Sequence, residues 1–277
     1  MNQTAVRSAH AIPVRKPSLD FAQPIPRFWF KGNFVATHFF NGLNMLFPDG
    51  ERFFVKAVHD RLDRITDPVL REQAKGFAGQ EGQHANQHEK YFDVLREQGY
   101  QIDTFLRRFR KFCQLSNRWM PAPLRLSITA GAEHYTAIFG ANVIEDRELL
   151  GDVHPTMRNL LLWHATEEIE HKSVAFDVLK ATHPSYLLRV AGFAVASIVL
   201  FGWAIAGCRM LLRQDRIPRQ VAREHEQRMI DRDQGRSRAK LRDGALDYFR
   251  RDFHPSDTDE LTLAHQRLEE IGIPVRL

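Results

Sequence analysis

Trp163-His164-Ala165-Thr166-Glu167-Glu168-Ile169-Glu170-His171 carries a glutamate and a histidine three residues apart, Glu168 and His171. Gln80-Glu81-Gly82-Gln83-His84 repeats the spacing with Glu81 and His84. Residues three apart on a helix share a face and can grip one object. Each pair is preceded, one helical segment earlier, by a lone glutamate: Glu51 in Pro48-Asp49-Gly50-Glu51-Arg52, and Glu133 in Ala132-Glu133-His134-Tyr135. The order Glu, Glu-x-x-His, Glu, Glu-x-x-His is the ligand inventory of a di-iron or di-manganese carboxylate site inside a four-helix bundle. Four carboxylates and two imidazoles suit ions of intermediate hardness and point away from thiolate-seeking metals. In an apolar interior, four glutamates cost too much unless cations neutralise them.

Two histidines extend the pattern. His164 precedes Glu168 by four, so His164, Glu168 and His171 fall on one face and offer a third imidazole. His88 stands in the same relation to His84, either as a further ligand or as a support or surface group. Glu167, Glu170 and Glu89 read as solvated or supporting carboxylates rather than ligands. The other histidines, His10, His38, His59, His134, His154, His183, His225 and His265, have no partner pattern and read as ordinary surface or core residues.

Helical periodicity dominates the chain and no convincing set of strands appears. A first helical stretch is expected over about 33–63, broken or kinked near Pro48. A second opens at Asp67-Pro68, a cap followed by proline at the first helical position, and runs to Gln98 with Gly99 as its stop. A short basic amphipathic helix follows. In it Ile102, Phe105, Leu106, Phe109, Phe112 and Cys113 recur at helical spacing among Arg107, Arg108, Arg110 and Lys111. Pro121 and Pro123 introduce a third main helix through about Glu148, and Pro155 opens a fourth extending to about Thr182.

From Val190 to Cys208 no charge occurs, a stretch of 19 residues flanked by Arg189 and Arg209. That length is at the lower end for a membrane span. Its small residues, Gly192, Ala194, Ala196, Gly202, Ala204 and Gly207 among them, also suit close packing on other helices. Arg209, Arg213, Arg216, Arg219, Arg223 and Arg228 follow at once, favouring a cytoplasmic face or an anionic lipid surface. The expected organisation is an extended or disordered arm over 1–26, a di-metal bundle over 27–183 and the apolar helix, membrane-associated or packed on the bundle, over 184–213. A polar helical extension over 214–277, read as peripheral, completes it.

A chain of 277 residues can bury a full core. Cys113 and Cys208, the only cysteines, lie far apart, which excludes a disulfide framework and fits a reducing compartment. The opening segment to Pro26 has charge and prolines but no apolar centre, so it does not read as a secretory signal. A net charge of +5 invites a nucleic-acid partner. However, the basic excess is confined mainly to 107–125 and 209–242, without zinc-finger, basic-zipper or aromatic-sheet signatures, so nucleic acid is not expected.

Phe47-Pro48-Asp49-Gly50-Glu51-Arg52-Phe53-Phe54, Gln80 to His84, Glu133-His134-Tyr135-Thr136-Ala137, Trp163 to Lys172 and Phe253-His254-Pro255 together resemble a bacterial family of predicted metal-dependent hydrolases. The resemblance covers about 25–260. The ligand order also resembles the ferritin-like superfamily, whose members mostly activate dioxygen. The expected fold is all-α: a ferritin-like four-helix bundle with an added apolar helix and a C-terminal helical extension. The run from His164 to His171 is similar to that of three-histidine di-iron arylamine N-oxygenases, which implies His164 as a third imidazole on one iron. Those oxygenases are soluble, and the apolar run departs from them.

The expected metal ligands are therefore Glu51, Glu81, His84, Glu133, His164, Glu168 and His171, holding two iron ions, with manganese as the alternative. The leading expectation is an oxygenase or hydroxylase that uses O₂ to oxidise an apolar or lipid-like substrate at the cytoplasmic face of a membrane. Its electrons come from an external donor, since no flavin, nicotinamide or iron–sulfur motif is visible. The alternative is a two-metal ester or phosphoester hydrolase. A non-enzymatic storage or adaptor role stands third. Oligomeric state is left open.

Overall fold

The computed structural model describes residues 12–232 and 235–275; His10 and the rest of 1–11 lie outside the described residues. The chain is all-α. No strand occurs among the described residues, which hold one isolated antiparallel bridge between Phe30 and Val153. In order come α1 (Phe34–Asn44), α2 (Phe47–His59), α3 (Pro68–Glu97), α4 (Asp103–Trp119), α5 (Ala122–Glu145) and α6 (Pro155–His171). They are followed by α7 (Val174–Thr182), α8 (Tyr186–Gln214), α9 (Arg219–Arg232), α10 (Arg236–Asp247) and α11 (Leu261–Glu270), with single 3₁₀ turns at Leu62–Arg64 and Pro255–Asp257.

Local chemistry sets most boundaries. Asn33 caps α1 by accepting from the Ala36 amide, and Asp67 caps α3 by accepting from Val69 and Leu70 ahead of Pro68. Gly99 ends α3 with φ +88°, a conformation that favours glycine. The expected first helix divides at Met45–Leu46, beside Pro48, and ends at His59 rather than 63. The third ends at Glu145 rather than 148. There the Asp146 carboxylate takes the amides of Glu148 and Leu149 and competes with the helix for them. The fourth is two helices, α6 and α7, parted at Lys172-Ser173; the Lys172 ammonium is held by Thr258 and Glu260 of the C-terminal segment.

Helices α2, α3, α5 and α6 form the bundle that positions the candidate ligands. α5 is its axis, buried on nearly every side and packed against α2, α6, α7, α8 and α10. A helix apolar all round belongs in a core. α8 lies lengthwise on α5 and α1. The approach is so close that a Cβ on Gly192 would stand 2.0 Å from Ser127 Oγ, and one on Gly42 2.5 Å from the Ala204 carbonyl. Its other face remains open, with Leu187 and Ile198 three-quarters exposed.

The C-terminal segment is less peripheral than its polarity suggests. Tyr248 and Phe253 sit buried against His134, Phe193 and Phe176, and Ala264 and Leu268 of α11 join the core beside α6. Residues 12–26 form an extended arm along α3, where Val14 seats against Gly79 and the Pro13 carbonyl accepts from Gln80.

The C-terminus of α8 is fastened by Asp215, whose carboxylate accepts from Tyr100 at 2.8 Å and from Arg27, and lies 2.6 Å from His38 Nε2. Burial pushes this carboxyl up, but the bonds from His38, Arg27 and Tyr100 outweigh it and hold it below the ordinary range. Burial also lowers His38, against the pull of Asp215. Both groups bind fewer protons folded than unfolded, so stability falls as pH drops, first where an unfolded histidine titrates, near ~6.5, then through the carboxylate range near ~4. Asp215→Asn is expected to lower the denaturation midpoint at neutral pH, with the difference from the parent persisting down to pH ~4 and shrinking only below it, as the parent's carboxylate takes up its proton. A pH series of denaturant titrations reads it, and a difference independent of pH would contradict it.

Candidate metal centre

Glu51 is delivered by α2, Glu81 and His84 by α3, Glu133 by α5, and His164, Glu168 and His171 by α6; all seven are buried. The spacing of three on α3 and α6 turns each Glu-x-x-His pair inward, as the sequence implies. Four overlapping triads have ligand atoms within reach of one common ion: Glu51-Glu81-His84, Glu81-Glu168-His171, His84-His164-Glu168 and Glu51-His88-His164. Glu51, Glu81, His84, His164 and Glu168 each belong to two of these triads, so the four share their ligands. Glu133 enters through Oε2, 3.3 Å from His171 Nε2.

The donor set fits a pair of divalent ions on two grounds. Both carboxylate oxygens of Glu51, Glu81 and Glu133, together with Glu168 Oε2, His84 Nδ1 and His171 Nε2, are buried without a hydrogen-bond partner. Orphaned acceptors at that density are costly unless a cation takes their lone pairs. In addition, four carboxylates carry the charge that two divalent cations cancel.

The far nitrogens of the histidines are organised for ligation. His84 Nε2 lies 3.1 Å from Glu167 Oε2, which leaves Nδ1 towards Glu81 and Glu168. His171 Nδ1 lies 2.9 Å from Gln80 Oε1, which leaves Nε2 towards Glu81, Glu133 and Glu168. Partners of this kind fix tautomer and ring orientation at metal sites. Gln80 passes its own N–H on to Glu170 at 2.7 Å. Arg15, from the arm, then closes both branches with NH1 to Glu167 at 3.1 Å and a two-pronged grip on Glu170 at 2.7 Å. Its remaining donors go to the carbonyls of Pro274 and Val275, and His265 lies 2.8 Å from Glu170. Glu167 and Glu170 are thus not solvated; they are buried and hold the parts that aim the imidazoles.

His164 uses both nitrogens, Nε2 to Glu168 at 2.8 Å and Nδ1 to His88 Nε2 at 2.7 Å. His88 therefore stands behind His164 as Glu167 stands behind His84, while also belonging to a triad with Glu51. Arg15, Gln80 and His265 carry no sequence pattern linking them to the site; only Gln80, next to Glu81, is even close to a motif.

Electrostatics without metal are strained in the direction the donor set predicts. Burial, reinforced by neighbouring carboxylates, raises Glu51 and Glu81 well above the usual range and Glu133 to about 7. Burial drives His84 to about 3 and His164 to about 4, so both are neutral and able to ligate. Glu168 goes the other way, since His171 and His164 outweigh its burial. On the Glu51 side the centre meets a narrow pocket lined almost wholly by apolar side chains.

The sequence model of a family described as predicted metal-dependent hydrolase matches residues 13–259. No curated protein and no solved structure matches the chain.

Proposed function

Because the chain belongs to the predicted metal-dependent hydrolase family, we propose that it is a metal-dependent enzyme whose two-ion centre oxidises an apolar, lipid-like substrate with O₂. Iron is the proposed metal and manganese the alternative. Glu51, Glu81, His84, Glu133, His164, Glu168 and His171 hold the ions, which supply the redox chemistry when bound. The observation that carries this reading is the contact between a buried carboxylate–imidazole cluster and a pocket with apolar walls. Oxidation of a hydrocarbon needs no hydrogen bonds to the substrate, whereas ester or phosphoester hydrolysis needs groups that steady a developing oxyanion. Within this scheme Glu167 and Gln80 keep His84 and His171 oriented, and the phenyl rings of Phe47 and Phe53 keep water from the cluster. Electrons come from an external donor. The open apolar face of α8, followed by Arg209, Arg213, Arg216 and Arg219, supports a place on the inner face of the cytoplasmic membrane.

Hydrolysis by the same two ions is the second reading, favoured by the family's description. Elemental analysis of the purified protein, followed by reduction and exposure to O₂, separates the two. The expected result is iron in the preparation and O₂ uptake that Glu168→Ala abolishes. Ester turnover by zinc-loaded protein without O₂, with no uptake by the iron form, would establish hydrolysis instead.

A further inference from the structure

We infer that the pocket beside Glu51 takes the hydrocarbon chain of a single-chain anionic amphiphile, tail first, with its acidic head left at the basic outer face of α4. Phe53 and Phe54 of α2, Phe109 and Phe112 of α4, and Val195 and Val199 of α8 wall the pocket; Ala132 of α5 and Glu51 lie at its inner side. Glu51 both lines the pocket and belongs to two of the candidate triads, so the pocket ends at the cluster. The interior therefore favours methylene groups over polar ones, because apart from Glu51, Ser116 and Thr136 its lining offers a polar group no replacement for its hydration.

The rim supplies what the interior lacks. The pocket-lining residues Phe109, Phe112 and Ser116 of α4, and Met120 just past its end, are flanked at helical spacing by Arg108, Lys111, Leu115, Arg118 and Trp119. Trp119 is 72% and Leu115 46% exposed, and the Arg118 guanidinium lies over the Trp119 ring at 5.1 Å. Among the described residues no carboxylate pairs with Arg108, Lys111 or Arg118, whereas the neighbouring Arg110 is taken by Asp49. Free cations, an exposed indole and an exposed leucine on one stripe are the features of a helix lying at a membrane surface. Across the mouth, Ile198 of α8 is 75% exposed beside Val199, and the outward face from Leu187 to Ile205 carries no charge over about 27 Å of helix. Charge and apolarity thus meet at the opening in the arrangement an acidic head and its chain require. The bilayer is the source of the ligand and the rim its point of transfer.

This orientation puts chain carbons, not the head group, at the metal centre. It rests on the proposed function for what happens there, but binding is measurable without turnover. The test titrates the intact, metal-loaded protein with a dansylated fatty acid, displaced by lauric acid or by dodecanol. Saturable binding is expected, with lauric acid the better competitor. Val199→Trp and, independently, Val195→Trp, both at half-buried wall positions, are expected to weaken lauric acid by about tenfold or more while metal content stays unchanged. R108E/K111E is expected to remove the preference for the acid over the alcohol and to abolish co-sedimentation with phosphatidylglycerol vesicles. Absence of saturable binding, or tight binding by both wall variants at full metal content, overturns the proposal; so does an acid preference that survives R108E/K111E. A protein that consumes O₂ yet fails here loses only this inference, and one that binds the chain but only hydrolyses esters loses only the oxidative reading.

Discussion

Glu81→Ala is expected to strip both ions from the centre, lowering metal from about two per chain to a small residue after dialysis, with affinity down by more than ~100-fold. The figure follows because partners one bond further out already cost about 10–100-fold, and Glu81 belongs to two of the four candidate triads. The same substitution separates ligation from stability. Without metal, Glu81 is a buried carboxyl raised far above its usual range by burial and by Glu133, so removing it relieves the metal-free protein. With metal, the fold loses the stabilisation that binding confers, ~4 kcal/mol when free metal stands at about a thousand times its dissociation constant. Thermal scans with and without chelator should therefore show a wide gap for the parent and almost none for the variant. Metal content measured by mass spectrometry on the Glu89→Ala control, an exposed-side residue paired with Arg52, should match the parent. A Glu81→Ala protein that retains its metal would refute the assignment.

Arg15→Ala is the second large effect. The guanidinium is 1% exposed and serves Glu167 and Glu170 at once, so its loss leaves two carboxylates buried without their counter-charge. Breaking a buried pair by removing one partner costs about 3–5 kcal/mol. The loss passes to the centre through His84 and His171, whose outer nitrogens depend on Glu167 directly and on Glu170 through Gln80. Metal affinity is expected to fall by about 10–100-fold even though Arg15 touches no ligand. Arg15→Lys keeps the charge but not the fork and should fall between. Denaturant titration with parallel metal titration reads both, and unchanged metal affinity in Arg15→Ala would remove Arg15 from the site.

These two variants also mark how far the sequence could be read. That Glu81 and the other six candidate ligands gather in one place is legible because their signal is local: a spacing of three on a helix turns side chains to one face, and four such helices leave one place for them to meet. Asp67-Pro68, Gly99 and Pro155 are legible for the same reason, as each acts on the few residues around it. Arg15 is not, since it lies 152 and 155 positions from its partners and no periodicity connects them. Glu167 and Glu170 read as solvated or supporting, and no local pattern decides between the two; an arm not visible as a pattern buries them. The split between α6 and α7 was hidden likewise, because Lys172 and Ser173 carry no helix-breaking chemistry and the tie to Glu260 is tertiary. The apolar run of α8 offers two readings, packed or membrane-facing, and its two faces divide them: glycines pressed on α1 and α5, Leu187 and Ile198 turned outward.

The grip of Arg15 on Pro274 and Val275 has a consequence for the order in which the molecule is made. Its carbonyl partners lie 259 and 260 residues further along the chain. On the ribosome, the four ligand-bearing helices emerge long before the segment that completes the cage around Arg15. A nascent chain thus lacks the carbonyls that complete the cage around Arg15 until residues 274 and 275 have emerged. On the proposed reading, tight metal capture waits for the segment that follows α11, and a chain truncated after α8 would carry every candidate ligand without the carbonyls that hold Arg15 in place.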